Sequence, residues 1–346
     1  MTTHQKFKIS VPATSANIGP GFDVLGMAFS LYLTLDCERL GPGAGLQMSY
    51  EGEGAEDVPL VAEKNLITKT ALYVLSTYGI ASLPPLKIHV NNPIPLGRGL
   101  GSSGSAVVAG VMLANSAGEL KMSKDRMFDY CLMVERHPDN VAPALFGGFV
   151  ASFLRELEPE ELEPSSIPRS EPTRNGASQP PTPLTDIGHY MQLGWAKEVK
   201  AIAIIPNFEV ATEDARAALP DNYSRADVIY NLQRVAVLTH ALSRSPVNAD
   251  LVYKAMSDKI HQPYRKSLIP GMQDMLETIT PKTCPGLVGI CLSGAGPTIL
   301  ALATENFDKI ANAVQDCFAR QPNLSIESEY KVLDVVHDGA QVQYSN

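Results

Sequence analysis

The sequence predicts an α+β fold in two domains, and three observations carry that reading. Segments of period-two alternation and segments of helical spacing are mixed along the first half of the chain, which is an α+β arrangement. A proline-rich acidic stretch then interrupts the order, and a second set of strands and helices follows it. The length of 346 residues exceeds one typical domain, with 45% hydrophobic and 19% charged residues as in an ordinary globular protein.

Taken in order, Phe7-Lys-Ile-Ser-Val11 and Leu31-Tyr-Leu-Thr-Leu-Asp-Cys37 alternate apolar and polar residues and read as half-buried strands. Asn65 to Thr77 has helical spacing through Leu66, Ile67, Ala71, Leu72 and Leu75. Leu86 to Val90 is an apolar run, and the small and apolar residues from Ala106 to Ala114 read as a buried helix. A helix is expected over Lys124 to Glu135 and a strand over Ala144 to Leu154. Residues 155–189 combine an acidic run with Pro159, Pro164, Pro168, Pro172, Pro180, Pro181 and Pro183, and few aliphatics. Such a composition buries too little apolar surface to offset chain entropy and reads as a mobile surface insertion, tolerated or regulatory. The expected boundaries are therefore 1–154 for the N-terminal domain, 155–189 for the insertion and 190–346 for the C-terminal domain. In the last, Val199 to Ile205 reads as a strand, and helices are expected from Asp214, over Arg225 to Leu242 and over Asp250 to Ile260. Strands Leu287 to Leu292 and Thr298 to Ala303 flank a glycine turn, with a helix over Phe307 to Phe318 and a closing strand over Tyr330 to Val336.

Bulk properties exclude several classes. The net charge of −9 without a long basic run argues against nucleic acid or an anionic membrane as partner. Cys37, Cys131, Cys284, Cys291 and Cys317 form no Cys-x-x-Cys pair, which implies a reducing compartment. Met1-Thr-Thr-His-Gln-Lys carries no apolar signal core and no apolar run reaches spanning length, so a cytoplasmic location is expected.

Pro95-Leu-Gly-Arg-Gly-Leu-Gly-Ser-Ser-Gly-Ser-Ala106 is the most informative stretch. A glycine loop feeding a helix N-terminus presents unpaired N–H groups and the positive end of the helix dipole to a phosphate. No lysine follows the glycines, so this is not a Walker loop. Gly99, Gly101 and Gly104 satisfy Gly-x-Gly-x-x-Gly, but Asn91-Asn-Pro-Ile-Pro95 separates them from the preceding apolar run, and Glu119 sits at a helix end. A Rossmann site fails on that context.

Three further clusters have two readings each. Gly294 and Gly296 in Leu292-Ser-Gly-Ala-Gly-Pro-Thr298 form a hairpin turn, or bring their backbone against the first glycine loop. Asn17 and Asp23, around Gly19-Pro20-Gly21, are Asx-type turn residues, or hold an amino group and a hydroxyl in a cleft. Glu135-Arg-His137-Pro-Asp139-Asn140 is a surface loop or a site for Mg²⁺ beside phosphates; one His with two acids argues against zinc. Thr212 and Arg216 share a helical face, and Arg265 falls in a loop; either arginine suits a carboxylate, though most single arginines are solvated.

Pro12-Ala-Thr-Ser-Ala-Asn-Ile-Gly-Pro-Gly-Phe-Asp23, the 95–106 loop and Leu292–Thr298, in that order, resemble the three motifs of the GHMP small-molecule kinases. The first motif, with His137-Pro-Asp-Asn-Val-Ala-Pro143 and Ser257-Asp-Lys-Ile-His-Gln-Pro-Tyr-Arg265, resembles the homoserine-phosphorylating branch in particular. The resemblance covers nearly the whole chain except 155–189, which is similar to a fungal elaboration. It implies an N-terminal domain like ribosomal protein S5 domain 2 and a ferredoxin-like C-terminal domain. It implies ATP and Mg²⁺ as cofactors, L-homoserine as substrate, O-phospho-L-homoserine as product on the way to threonine, and a homodimer.

By the same resemblance Pro95, Leu96, Gly97, Arg98, Gly99, Leu100, Gly101, Ser102, Ser103, Gly104 and Ser105 wrap the ATP phosphates, with Asn65 near the adenine. Ser103 and Glu135 hold Mg²⁺. Asn17, Asp23, His137, Asn140, Thr212, Arg216 and Arg265 surround the amino acid, the arginines at its carboxylate and Asp23 at its ammonium. Asn140 and Arg216 orient the hydroxyl while the phosphate takes the proton, and Asp139 is the alternative base. In many members of the branch a longer loop separates the metal glutamate from the histidine. Here Glu135 precedes His137 by two positions, through a shortened loop or a displaced Glu135. The rival readings are a kinase for mevalonate or a sugar, which offers no ammonium for Asp23, and an inactive ATP-binding sensor, against which the intact Ser102, Ser103 and Glu135 speak.

Overall fold

The strand that opens the chain runs beyond its alternating residues. In the computed structural model, which describes residues 5–156, 158, 182–321 and 326–345, strand β1 runs over Lys6–Ala16 and β2 over Leu25–Arg39. They pair antiparallel along their length, with Phe7, Ile9 and Val11 inward. A register shift between Pro12 and Ala13 lets the ladder pass the proline, so β1 carries Thr14, Ser15 and Ala16 to the site.

Strand β3 (Leu46–Gly52) lies parallel to β4 (Leu86–Asn92), which pairs antiparallel with β2. Helix α1 (Leu66–Thr77) begins at Asn65, whose side chain caps it by accepting from the Ile67 N–H. Helix α2 (Ser102–Ala117) packs against α1 so closely that a Cβ on Gly110 would lie 2.4 Å from the Ile67 carbonyl oxygen. Helix α3 (Lys124–Glu135) has the expected bounds. The strand expected from Ala144 is corrected: Pro138–Phe146 is a helix, α4, with Pro138 in its first turn, and β5 begins only at Phe149. The apolar run has no periodicity to separate helix from strand, and Gly147 at φ +81° makes the break between them.

Strand β6 (Gly188–Leu193) pairs with β5, and β5 pairs with the start of β2. The expected 189/190 domain boundary therefore falls inside a strand of the first sheet. Of the insertion, residues 157 and 159–181 lie outside the described residues.

Strands β7 (Lys200–Pro206), β8 (Leu287–Leu292), β9 (Ile299–Ala303) and β10 (Ser328–Leu333) form a second, fully antiparallel sheet in the order β10-β7-β9-β8. That is the split βαβ order of a ferredoxin-like fold. Helices α5 (Thr212–Ala217), α6 (Arg225–Ala241), α7 (Ala249–Ala255), α8 (Gln262–Arg265) and α9 (Met272–Thr278) intervene between β7 and β8, and α10 (Phe307–Ala319) between β9 and β10. The helix expected over Asp250 to Ile260 stops at Ala255, because Asp258 captures the N–H groups of Ile260, His261 and Gln262 and opens a new turn. Arg265 consequently sits on α8 rather than in a loop.

Strand β7 is buried on both faces: Ala201, Ala203 and Ile205 face the larger core, Ile202 and Ile204 the smaller one with α9 and α10. The chain finally returns to the first sheet, where β11 (Gln341–Ser345) pairs antiparallel with β1.

Candidate active site

The glycine loop reaches its helix by three left-handed turns, at Gly97, Gly99 and Gly101 with φ of +62°, +80° and +68°. Gly101 is the N-cap of α2, and a Cβ there would meet Thr14 Oγ1 at 1.9 Å. The Thr14 N–H donates to the Leu100 carbonyl at 3.1 Å, so β1 fixes the loop from beneath. The turn between β8 and β9 closes against the other side. Ser293 Oγ donates to the Gly99 carbonyl at 2.6 Å, the Thr298 N–H donates to the Arg98 carbonyl at 3.4 Å, and a Cβ on Gly99 would lie 2.3 Å from the Ser293 carbonyl oxygen. Of the two readings of Gly294 and Gly296, the turn does both jobs.

These segments line a cleft into which the N-terminus of α2 opens. Pro95, Gly97, Arg98, Gly99, Leu100, Gly101, Ser102, Ser103 and Gly104 line it, with Asn17, Asp23, Glu135, His137, Asp139, Asn140, Thr212, Arg216 and Arg265 around the remainder. Three sequence candidates, Asn65, Leu96 and Ser105, are not among the residues lining this cleft. Asn65 spends its amide on the Ile67 N–H and the Pro59 carbonyl. Leu96 packs over Gly54, and Ser105 Oγ donates to the Pro12 carbonyl.

Ser103 Oγ donates to Glu135 Oε2 at 3.1 Å, across from the first turn of α2 to the last of α3. The short spacing to His137 is therefore no obstacle: Arg136, at φ +62°, ends α3 in one left-handed step and leaves Glu135 on the cleft. Burial pushes the Glu135 carboxyl up, partly offset by the Ser103 hydroxyl and Arg216. Among the described residues no group of three or more His, Cys, Asp or Glu side chains gathers as a metal site. A hydroxyl and one carboxylate beside a phosphate cradle nevertheless fit a Mg²⁺ that takes its other ligands from phosphate and water.

At the opposite end Asp23 and Arg216 form a bidentate pair, Nη2 to Oδ1 at 2.8 Å and Nη1 to Oδ2 at 3.2 Å. The two groups expected at opposite ends of an amino acid hold each other here. Asn17 lines the cleft, with its Oδ1 accepting from the Asp23 N–H and its Nδ2 donating to the Gly294 carbonyl. Arg265 is 1% exposed, with Nε on the Ala215 carbonyl and Nη1 on the Gly294 carbonyl. The Phe22 ring lies under both guanidinium groups, 5.6 Å from Arg216 and 5.2 Å from Arg265.

The first turn of α4 supplies the floor. Asn140 Oδ1 accepts from Thr14 Oγ1 at 2.9 Å. Burial and the nearby Asp23 push the Asp139 carboxyl up to about 7, against the pull of Arg216. Burial and Arg216 lower the His137 imidazole, which favours its neutral form. The sequence singled out neither Thr14, which ties loop to floor, nor His261, which reaches the carbonyl of Gly19 at 2.8 Å. For His261 the signal was present in the Ser257–Arg265 motif, but its partner lies 242 residues away.

The GHMP kinases N terminal domain family matches residues 65–148 and the GHMP kinases C terminal family residues 243–320. Homoserine kinase of Saccharomyces cerevisiae is 53% identical over 97% of this chain and 98% of its own, and that of Schizosaccharomyces pombe 55% identical over 98% and 99%. Among solved structures, homoserine kinase from Cytophaga hutchinsonii superposes with a TM-score of 0.75 at 28% identity, covering 99% of each chain. A mevalonate kinase, at a TM-score of 0.62 and 13% identity over 95% of this chain and 99% of its own, shares the fold alone.

Proposed function

The chain belongs to the homoserine kinases of the GHMP kinase superfamily, and from that membership we infer that it transfers the γ-phosphoryl group of ATP to the side-chain hydroxyl of L-homoserine. The observation that carries this reading is a phosphate cradle and a two-sign bracket opening into one cleft. The N–H groups at the start of α2 and its dipole receive the phosphates, in the role a Walker lysine fills elsewhere. Ser103 and Glu135 would hold Mg²⁺, which when bound neutralises phosphate charge. Asp23 receives the ammonium and Arg216 the carboxylate, so a zwitterion replaces one ion pair by two without changing the net charge of the site. Arg265 supports this end by fixing the backbone at Ala215 and Gly294. Asn140 and Arg216 orient the hydroxyl, whose proton passes to the phosphoryl group, because positioning and charge neutralisation supply most of such a transfer.

A second reading of the proton is favoured by one observation. Asp139 lines the cleft with a carboxyl at about 7, the affinity a general base needs near neutral pH.

Steady-state assays with homoserine, mevalonate, galactose and shikimate in parallel test the function. The highest kcat/KM is expected for homoserine, and preference for any other acceptor refutes the assignment. Single-turnover reaction with labelled ATP separates a kinase, which forms phosphohomoserine, from a sensor, which binds nucleotide and forms none. Among the described residues no helix is long and apolar enough to cross a membrane.

A further inference from the structure

One buried polar network lies behind the amino-acid end of the cleft. The side chains of Asp258 and His261 are fully buried. Asp258 accepts from Asn231 Nδ2 at 2.7 Å and from the N–H groups of Ile260, His261 and Gln262 at 2.9, 3.0 and 2.7 Å. Burial alone would raise its carboxyl, and the hydrogen bonds from Asn231, Ile260 and Gln262 pull it the other way. His261 approaches Arg265 through Nδ1, at 3.4 Å from Nη1. A guanidinium has only donors, so Nδ1 accepts, and the ring proton sits on Nε2, which donates to the Gly19 carbonyl at 2.8 Å. Burial lowers the imidazole and keeps it in this neutral form.

The neighbouring carbonyl, that of Pro20, accepts from Asn231 Nδ2 at 3.3 Å. Two successive carbonyls of one turn are thus captured by α6 and by the N-cap of α8. The turn has no slack on its other side, since a Cβ on Gly19 would lie 2.8 Å from the Met256 carbonyl oxygen. From this turn the chain passes through Phe22, whose ring stacks on His261 at 5.5 Å, to Asp23. His261 therefore touches both walls of the site: the loop that carries Asn17 and Asp23, and Arg265, which shares the Gly294 carbonyl with Asn17.

We propose that His261 is a positioning residue for the amino-acid substrate, its Nε2–H bond to Gly19 setting where Asp23 stands relative to Arg216. The proposal rests on the homoserine kinase reading. It assigns His261 no part in holding ATP, because the glycine loop is fixed by Thr14 and Ser293 instead.

The test compares His261→Ala, His261→Gln and Asn231→Ala with the unaltered enzyme in steady-state assays. Loss of the buried bond is expected to raise the KM for homoserine about tenfold in His261→Ala, with the KM for ATP within about twofold. The carboxamide of His261→Gln places an N–H near the Nε2 position and should recover most of that loss. Asn231→Ala removes the bonds to Pro20 and Asp258 and should shift the same KM alone, which guards against a His261→Ala chain that fails to fold. An unchanged homoserine KM, an equal rise in both KM values, or a glutamine variant no better than alanine overturns the proposal. An unaltered enzyme that does not phosphorylate homoserine overturns the functional reading instead.

Discussion

Asp23 and Arg216 meet as a partly exposed bidentate pair, so each charge has its partner. Arg216→Ala removes the carboxylate partner and leaves Asp23 alone. It should raise the KM for homoserine and lower kcat/KM by roughly tenfold to a hundredfold, with ATP affinity nearly intact in a titration. An equal loss of ATP binding would place this arginine in the phosphate half. Asp139 allows two measurements. Its carboxyl titrates near 7 in the folded chain against an ordinary value of 3.8, so folding favours the protonated form. That contribution is full below about pH 4 and is lost as pH rises through about 7. Asp139→Asn lacks the loss, so its Tm relative to the unaltered protein should improve from pH 4 to pH 8. In kinetics, Asp139→Asn should cost less than about tenfold in kcat if the phosphate takes the proton, whereas a base accounts for roughly a hundredfold or more. The residue types of this end were legible as a two-sign set for a zwitterion, but their pairing was not, because Asp23 and Arg216 are 193 residues apart in sequence.

Glycine loop and glycine turn act as one element. Gly99 at φ +80° packs its α-carbon where any side chain would strike the Ser293 carbonyl. Gly99→Ala is therefore expected to push the two apart and to weaken ATP binding by at least about tenfold, measured by calorimetry, while folding survives. Unchanged ATP affinity would mean that the turn does not brace the cradle. The helices beside the loop were legible where periodicity and capping agreed, as for α1, behind Asn65, and α3. Helix α4 was not, because Pro143 lies inside it and its apolar run fits either periodicity. Asn65 shows the converse: its role as a cap is revealed by the hydrogen bonds to Ile67 and Pro59.

The whole molecule is held together by a chain that leaves the first sheet and comes back twice, through β6 and β11. Strand β11 covers the edge of β1, and Tyr344 packs beside Phe7 with its hydroxyl on Ser116 Oγ. Removing residues 341–346 should bare that edge and lower Tm by several degrees in calorimetry, with activity kept at low temperature. An unchanged Tm would show β11 to be dispensable. These returning strands were hidden, since Gln341-Val-Gln-Tyr-Ser345 is short and polar at its outward positions, and its partner sits at the other end of the chain. By itself the sequence indicated the α+β class, a glycine loop without a Walker lysine and, through motif order, most of the residues that line the cleft, though not that Asn65, Leu96 and Ser105 lie outside its lining. Each of these rests on local periodicity, on glycine's freedom at positive φ or on motif order. Only the tertiary structure decided that Asp23 pairs with Arg216, that Arg265 is buried against backbone carbonyls and that His261 braces Gly19. Those facts depend on distances between segments remote in sequence, and a hydrogen bond is fixed by distance and direction, which no local pattern encodes.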